Sequence, residues 1–246
     1  MNPGIEHIHI GARTLCIVRI PQGVDRLALT VLLQRAGLPT GVPVVVLVGG
    51  ASGLSPTHTA VCEELLTSAL VPAVEQAGAV LVDGGTDVGI MRLAGRARTQ
   101  AWARFPQIGV VAEGTVRWPG HPPTREDAAD LEPHHTHITA VPGDQWGDEA
   151  PWLSTIASAL AGRAPSVTVL ANGGTIAYDD VHESLAAARP VLVLSGTGRT
   201  ADDITTARKS QPADPRALEA AASPLLTTVP ANPHALSTAL TAAFNL

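Results

Sequence analysis

The sequence predicts a Rossmann-like α/β fold, a mostly parallel central sheet with helices on both faces, and three observations predict it. Short apolar runs alternate along the chain with amphipathic stretches of helical length. The runs are apolar on both parities, as strands covered on both faces are. Four of them, 44–48, 79–82, 167–170 and 191–194, lead directly into glycine turns: Gly49-Gly50-Ala51-Ser52-Gly53, Gly84-Gly85-Thr86, Gly173-Gly174-Thr175 and Ser195-Gly196-Thr197-Gly198-Arg199. A strand that turns on glycine into a helix aims the unpaired N–H groups of the helix's first turn at one point, which makes an anion site. In a parallel sheet such corners collect at the carboxyl ends of the strands.

The elements follow in order. Residues 5–18 alternate apolar and polar around Gly11 and read as an opening strand or hairpin. After 44–48 and its corner, Pro56-Thr57 starts a helix with Val61, Leu65, Ala69 and Val74 on one stripe. Strand 79–82 leads to a helix from Asp87, and strand 108–111 ends at Glu113-Gly114-Thr115. Residues 118–133 carry Pro119, Pro122, Pro123 and Pro133 and form the longest irregular stretch. Ordered loops of that length commonly serve a site or a partner. Strand 138–141, helix 151–160, strand 167–170, helix 177–188, strand 191–194 and helices 200–209, 216–222 and 233–243 complete the alternation. No Pro/Gly/Ser-rich linker divides the 246 residues, so a single domain is expected.

Composition removes several function classes. The net charge is −6 and Lys and Arg do not cluster, which argues against nucleic acid as a partner. No N-terminal signal pattern and no apolar run of about 20 residues is present, so a soluble cytoplasmic protein away from the membrane is expected. Cys16 and Cys62 lack metal spacing and read as small buried residues. Ser52 and Ser195 lie outside any G-x-S-x-G elbow, and there is no G-x-x-x-x-G-K-[ST] loop. Glu113, Asp179, Asp180 and Asp202 are the acids near corners that could act as bases, although each also suits a helix start.

The remaining motifs converge on a small anionic ligand. Gly196-Thr197-Gly198-Arg199-Thr200-Ala201 fits G-x-G-x-x-[GA], and Arg199 adds a cation to a turn rich in donors. The repeated Gly-Gly-Thr corners supply Gly84, Gly85, Thr86, Gly173, Gly174 and Thr175, and Asn172 adds a hydrogen-bonding group. His134, His135 and His137 invite a metal reading, but on a strand His134 would point away from the other two. A strand-edge role or a ligand contact fits them better, and neither metal nor cofactor is expected. Trp118, Trp146 and Trp152 flank the irregular stretch, where one could stack on a base or pack a lid.

Val82-Asp83-Gly84-Gly85-Thr86-Asp87-Val88-Gly89-Ile90-Met91, Ile108-Gly109-Val110-Val111, His135-Thr136-His137-Ile138 with Val141-Pro142-Gly143-Asp144 and Gly147, and Leu194-Ser195-Gly196-Thr197-Gly198-Arg199-Thr200-Ala201-Asp202 occur in that order. As a set spanning about residues 44 to 205 they resemble the LSDAT domains of the SLOG superfamily. Those domains include the cytoplasmic N-terminal region of melastatin-type transient receptor potential channels, and the free-standing prokaryotic branch is the most similar. The resemblance implies a Rossmann-like domain that binds a nucleotide-derived ligand, ADP-ribose or a related NAD-derived nucleotide, as a sensor. It places ligand positions at Gly49, Gly50, Gly84, Gly85, Thr86, Gly173, Gly174, Gly196 and Arg199, and a homodimer is common among such relatives. The more distant LOG enzymes cleave nucleotide N-glycosidic bonds with P-G-G-x-G-T-x-x-E. Here Asn172-Gly173-Gly174-Thr175-Ile176-Ala177-Tyr178-Asp179-Asp180 lacks the proline and second Gly-Thr and offers Asp180 for the glutamate. A hydrolase centred on Asp180 is therefore the alternative, and an interaction module with empty corners is a third possibility.

Overall fold

The computed structural model describes residues 4–244. Strands β1 (Ile5–Ile10) and β2 (Arg13–Arg19) form the expected hairpin, antiparallel and in the register Ile8 to Leu15. Helix α1 (Arg26–Arg35), which is not among the elements expected from the sequence, starts where Asp25 accepts the Ala28 N–H at 2.8 Å. Strand β3 (Val44–Gly49) leads to α2 (Pro56–Leu65), capped by the Ser55 hydroxyl. A π-helical turn, Leu66–Leu70, carries α2 without a break into α3 (Val71–Gln76). Pro72 has no N–H to continue the α-helical ladder, and the wider turn before it absorbs that loss. The turn also explains the spacing of the predicted stripe, in which the step from Ala69 to Val74 is one residue longer than the others.

The alternation continues through β4 (Val80–Asp83), α4 (Gly89–Gln100), β5 (Gln107–Ala112), the short pair β6 (Val116–Arg117) and β7 (Ala129–Asp130), and β8 (His137–Val141). It closes with α5 (Ala150–Ala161), β9 (Ser166–Ala171), α6 (Thr175–Ala186), β10 (Val191–Ser195), α7 (Arg199–Arg208), α8 (Pro215–Ala222), β11 (Leu226–Pro230) and α9 (Pro233–Phe244). The last strand, β11, was not anticipated, because Leu226-Thr227-Thr228-Val229-Pro230 is an edge strand, half polar and ended by proline. Helix α4 starts two residues later than expected, since the bonds of Asp87 and Val88 to Asp130 and Thr86 hold the corner extended.

Nine strands form one sheet in the order β1-β2-β8-β5-β4-β3-β9-β10-β11, parallel everywhere except between β1 and β2. From β3 the chain builds β4, β5 and β8 to one side, then crosses to build β9, β10 and β11 on the other. The gap between the carboxyl ends of β3 and β9 is thus the switch point where α/β sheets bind ligands.

Alternate residues of β3 show how both faces are covered. Val44, Val46 and Val48 belong to the apolar cluster that α1, α5, α6, α7 and α8 fill on one face, while Val45 and Leu47 belong to the one that α2, α3, α4 and α9 fill on the other. Each such side chain, fully removed from water, contributes roughly 1.5–3 kcal/mol. The irregular stretch 118–133 has a structural use as well: Trp118 and Leu131 close a third apolar cluster over Ile8, Leu15, Ile17, Val111 and Ile138, to which no helix contributes among the described residues.

Candidate functional site at the sheet switch point

A cavity of about 310 Å³ opens at the carboxyl ends of β3, β4, β5 and β9. Of the residues singled out in the sequence, Gly49, Gly84, Thr86, Gly174, Thr175, Asp180 and Arg199 line it. Gly50, Gly85, Asn172, Gly173 and Gly196 do not.

The glycines divide by what surrounds them. A Cβ on Gly49 would collide with the Ala171 carbonyl oxygen of β9, and one on Gly50 with the Asn172 amide. Gly85 has φ +65° and packs on Gly109, where a Cβ would come within 2.8 Å of the Gly109 Cα. Gly173 has φ +110° and faces Thr200 just as closely. These four are glycine because neighbouring backbone or side chains leave no room. Gly84 and Gly174 differ: a Cβ on Gly84 would meet only Met91 at 3.8 Å, and one on Gly174 only the Arg199 guanidinium at 3.0 Å.

Three helices begin around the cavity, and their ends are satisfied differently. The Gly196 and Gly198 N–H groups before α7 donate to the two oxygens of Asp202 at 2.6 and 3.0 Å, and the Ala201 N–H donates to the Asn172 carbonyl. The G-x-G-x-x-A turn is therefore closed by its own carboxylate. Asp202, one of the acids named from the sequence, is thus engaged at this turn, and so are the Gly196 and Gly198 N–H groups. At α4 the Ile90 N–H donates to the Gly50 carbonyl. The α6 N-terminus at Gly174 has no side-chain cap, and Gly174, Thr175 and Ile176 face the cavity. Its first-turn N–H groups carry the partial positive charge of a helix start.

Arg199 stands beside this end. It adopts a left-handed φ of 52° at the first position of α7, and its guanidinium donates to the Ser52 carbonyl at 2.5 Å, bridging the β3 and β10 corners. Asn172, at φ 62°, holds the β9 corner by giving its backbone N–H to the Thr197 hydroxyl and its side-chain N–H to the Thr197 carbonyl. Left-handed side chains are uncommon and concentrate where surrounding structure fixes a functional geometry.

Two acids complete the wall. Asp180, on α6, has Oδ1 shut away from solvent without a hydrogen-bond partner. Burial, followed by repulsion from Glu149, Asp179 and Glu183, raises its pKa well above the ordinary carboxylate value. Glu149, just before α5, accepts the Gly147 N–H at 3.0 Å through Oε2, and burial raises its pKa too. Nothing in the sequence had marked Glu149, because it becomes informative only when α5 and α6 pack together. Glu113, another candidate base, is engaged by Arg19 at 3.1 Å outside this cavity.

Trp146 forms part of the same wall. Its indole N–H donates to Asp127 Oδ2 at 3.0 Å, and Arg125 clasps Asp127, the Asp144 carbonyl and Gln145. The irregular stretch thus holds the tryptophan at the mouth of the cavity.

The histidines sit at and just before the start of β8. Only His137 lies in β8, with Nε2 3.0 Å from the Ala36 carbonyl; His134 and His135 sit in the turn before it. His135 is buried between Asp83 Oδ1 and Glu132 Oε2, each at 2.8 Å from a ring nitrogen. Burial opposes its charge, but the two carboxylates outweigh burial and lift its pKa to about 10. Asp83 also accepts the Gly85 N–H at 2.8 Å and the Gln107 amide at 2.9 Å. The buried charge network accordingly fixes the Gly84-Gly85-Thr86 corner from behind.

Comparison with known proteins agrees with this architecture. Residues 42–237 match the family described as SLOG in TRPM, prokaryote. The chain is also similar to "Transient receptor potential cation channel subfamily M member-like 2" of Nematostella vectensis, at 25% identity over 231 residues. That alignment covers 78% of this chain and 15% of the channel. Among the described residues, no helix is long and apolar enough to cross a membrane.

Proposed function

The chain belongs to the prokaryotic SLOG-in-TRPM family of nucleotide-related binding domains, and from that premise we propose that it binds ADP-ribose or a related NAD-derived nucleotide at the switch-point cavity, as a sensor. The observation that carries this reading is the uncapped α6 N-terminus opening into the cavity with Arg199 at its side. A phosphate there would accept backbone N–H groups and a guanidinium together, the charge-assisted arrangement that favours anions most. Thr86 and Thr175 add hydroxyls to the wall, and Trp146 offers an aromatic surface for a base.

Thermal unfolding with ADP-ribose, cyclic ADP-ribose, NAD, ADP and AMP tests the reading. A ligand at about 100 times its Kd adds roughly 2.7 kcal/mol and raises the midpoint. No shift with any adenine nucleotide removes the proposal.

A second reading, cleavage of a nucleotide N-glycosidic bond, draws on Asp180, whose pKa is raised by burial and by neighbouring acids, the direction that favours the protonated form a general acid uses. Chromatography of each incubated mixture separates the two, since a sensor leaves its ligand intact.

A further inference from the structure

The two ends of the sheet are finished unequally. At the β11 end the Val191 N–H donates to the Leu225 carbonyl and the Ala231 N–H to the Ser195 carbonyl, so Leu226, Thr228 and Pro230 face outward. That outer row is largely closed: the Leu226 N–H donates to the Ser223 carbonyl, Pro230 has no N–H, and the Pro230 carbonyl accepts the Asn232 N–H. At the β1 end the Arg19 N–H donates to the Gly4 carbonyl. Antiparallel bonding alternates from there, so Glu6, Ile8 and Ile10 bond to β2 while Ile5, His7 and His9 turn their N–H and C=O groups away from the sheet. Among the described residues nothing bonds to these outward groups. Proteins usually blunt such an edge with lysine, proline or a bulge. Strand β1 has none of the three, and its register with β2 runs unbroken from Ile5 to Ile10.

The side chains along this edge differ by face. Ile8 and Ile10 lie on the side of the third apolar cluster, where a cavity of about 600 Å³ is lined by Ile10, Trp118, Pro119, Pro122, Pro123 and Leu131. Stacking on His121 at 3.8 Å holds the Trp118 ring. On the other face His7 and His9 are exposed, and Glu6, the one acid of β1, is taken by Arg19 at 3.0 Å. We infer that the free edge of β1 takes up an extended segment of a partner protein as a further strand, its apolar side chains beside Ile8 and Ile10 over the cavity and its alternate, acidic ones beside His7 and His9. Main-chain pairing supplies the affinity, and the cavity selects the side chain. The acids distinguish this occupant from a second copy of the chain, since a two-fold pairing of β1 with β1 about its centre sets histidine against histidine on that face.

The probe is a synthetic peptide of alternating glutamate and valine, blocked at both ends, with two N-methylated forms, one methylated at the glutamate amides and the other at the valine amides. Followed by NMR on the isotope-labelled whole protein, the unmethylated peptide should bind and slow amide exchange at Ile5, His7 and His9 roughly tenfold or more, while Ile8 and Ile10, already bonded to β2, stay unchanged. Peptide residues of only one parity point their N–H groups at β1, so one methylated form should lose binding and the other keep it. A lysine-for-glutamate peptide should bind roughly tenfold more weakly. His7→Pro removes an N–H that nothing in the described protein uses; it should melt close to wild type and bind the peptide roughly tenfold more weakly. The methylated peptides leave the protein unaltered, so the test stands even where His7→Pro does not fold. Absence of binding, binding that leaves the three exchange rates unchanged, or equal binding of the two methylated forms overturns the inference. So does sedimentation that shows a dimer of the protein alone with Ile5, His7 and His9 already protected, because a second copy then holds the edge.

Discussion

Asp83 and His135, 52 residues apart in the chain, meet in a fully buried contact of 2.8 Å directly behind the Gly84-Gly85-Thr86 corner. Glu132 holds the other ring nitrogen, so the network is a cation between two acids.

Replacing His135 by Asn should leave two buried carboxylates facing each other and cost about 3–5 kcal/mol, the usual loss when one partner of a buried pair is removed. The pH profile carries the same signature. Because the folded pKa of His135 is raised to about 10, its stabilisation is fully present below the unfolded value near 6.5 and is lost as pH rises towards 10. Glu132 is shifted down: burial opposes this, but bonds from His135 and His134 prevail, so its contribution is lost as pH falls through the lowered value. Urea melts between pH 6 and 10 should show a decline in wild type that His135→Asn lacks.

Gly49→Ala and Gly84→Ala should separate a glycine demanded by packing from one that shapes the cavity. At Gly49 the new methyl meets the Ala171 carbonyl, and a loss of roughly 1–3 kcal/mol is expected. At Gly84 the nearest neighbour is Met91 at 3.8 Å, so stability should change by less than about 0.5 kcal/mol. The Gly84 methyl narrows the cavity wall instead, and nucleotide affinity should fall. Thermal melts and titrations of the two variants check both halves.

Arg199→Asn keeps a residue type that tolerates the left-handed backbone seen at this position. Its melting temperature should stay close to wild type, while pyrophosphate affinity should fall roughly tenfold with loss of the guanidinium. Equal pyrophosphate affinity in the two proteins would place the anion elsewhere.

The sheet and its four corners were legible because strands covered on both faces leave continuous apolar runs, and glycine turns interrupt them visibly. Arg199 and the second Gly-Gly-Thr were legible for the same reason, being adjacent in sequence to the turn they serve. The role of His135 was not. Its partner Asp83 comes within reach only through the pairing of β4 with β5 and of β5 with β8, and no local pattern encodes that adjacency. Glu149 was invisible because its meaning depends on α5 meeting α6. Asp202 was readable in principle: an acid four residues after Gly198 lies on the same helical face as the turn and can reach back to it.

That carboxylate has a further consequence. Asp202 is a competitor tethered to its own turn, and its effective concentration there far exceeds that of any free phosphate in solution. To occupy the β10 corner, a ligand would have to evict an anion that can never diffuse away. In the motif that most resembles a dinucleotide-binding turn, the Gly196, Gly198 and Ala201 N–H groups are already bonded within the protein, whereas the plainer Gly-Gly-Thr corner before α6 has no side-chain cap. On the nucleotide reading proposed above, the β10 turn would serve as a buttress for Arg199 and not as the phosphate seat.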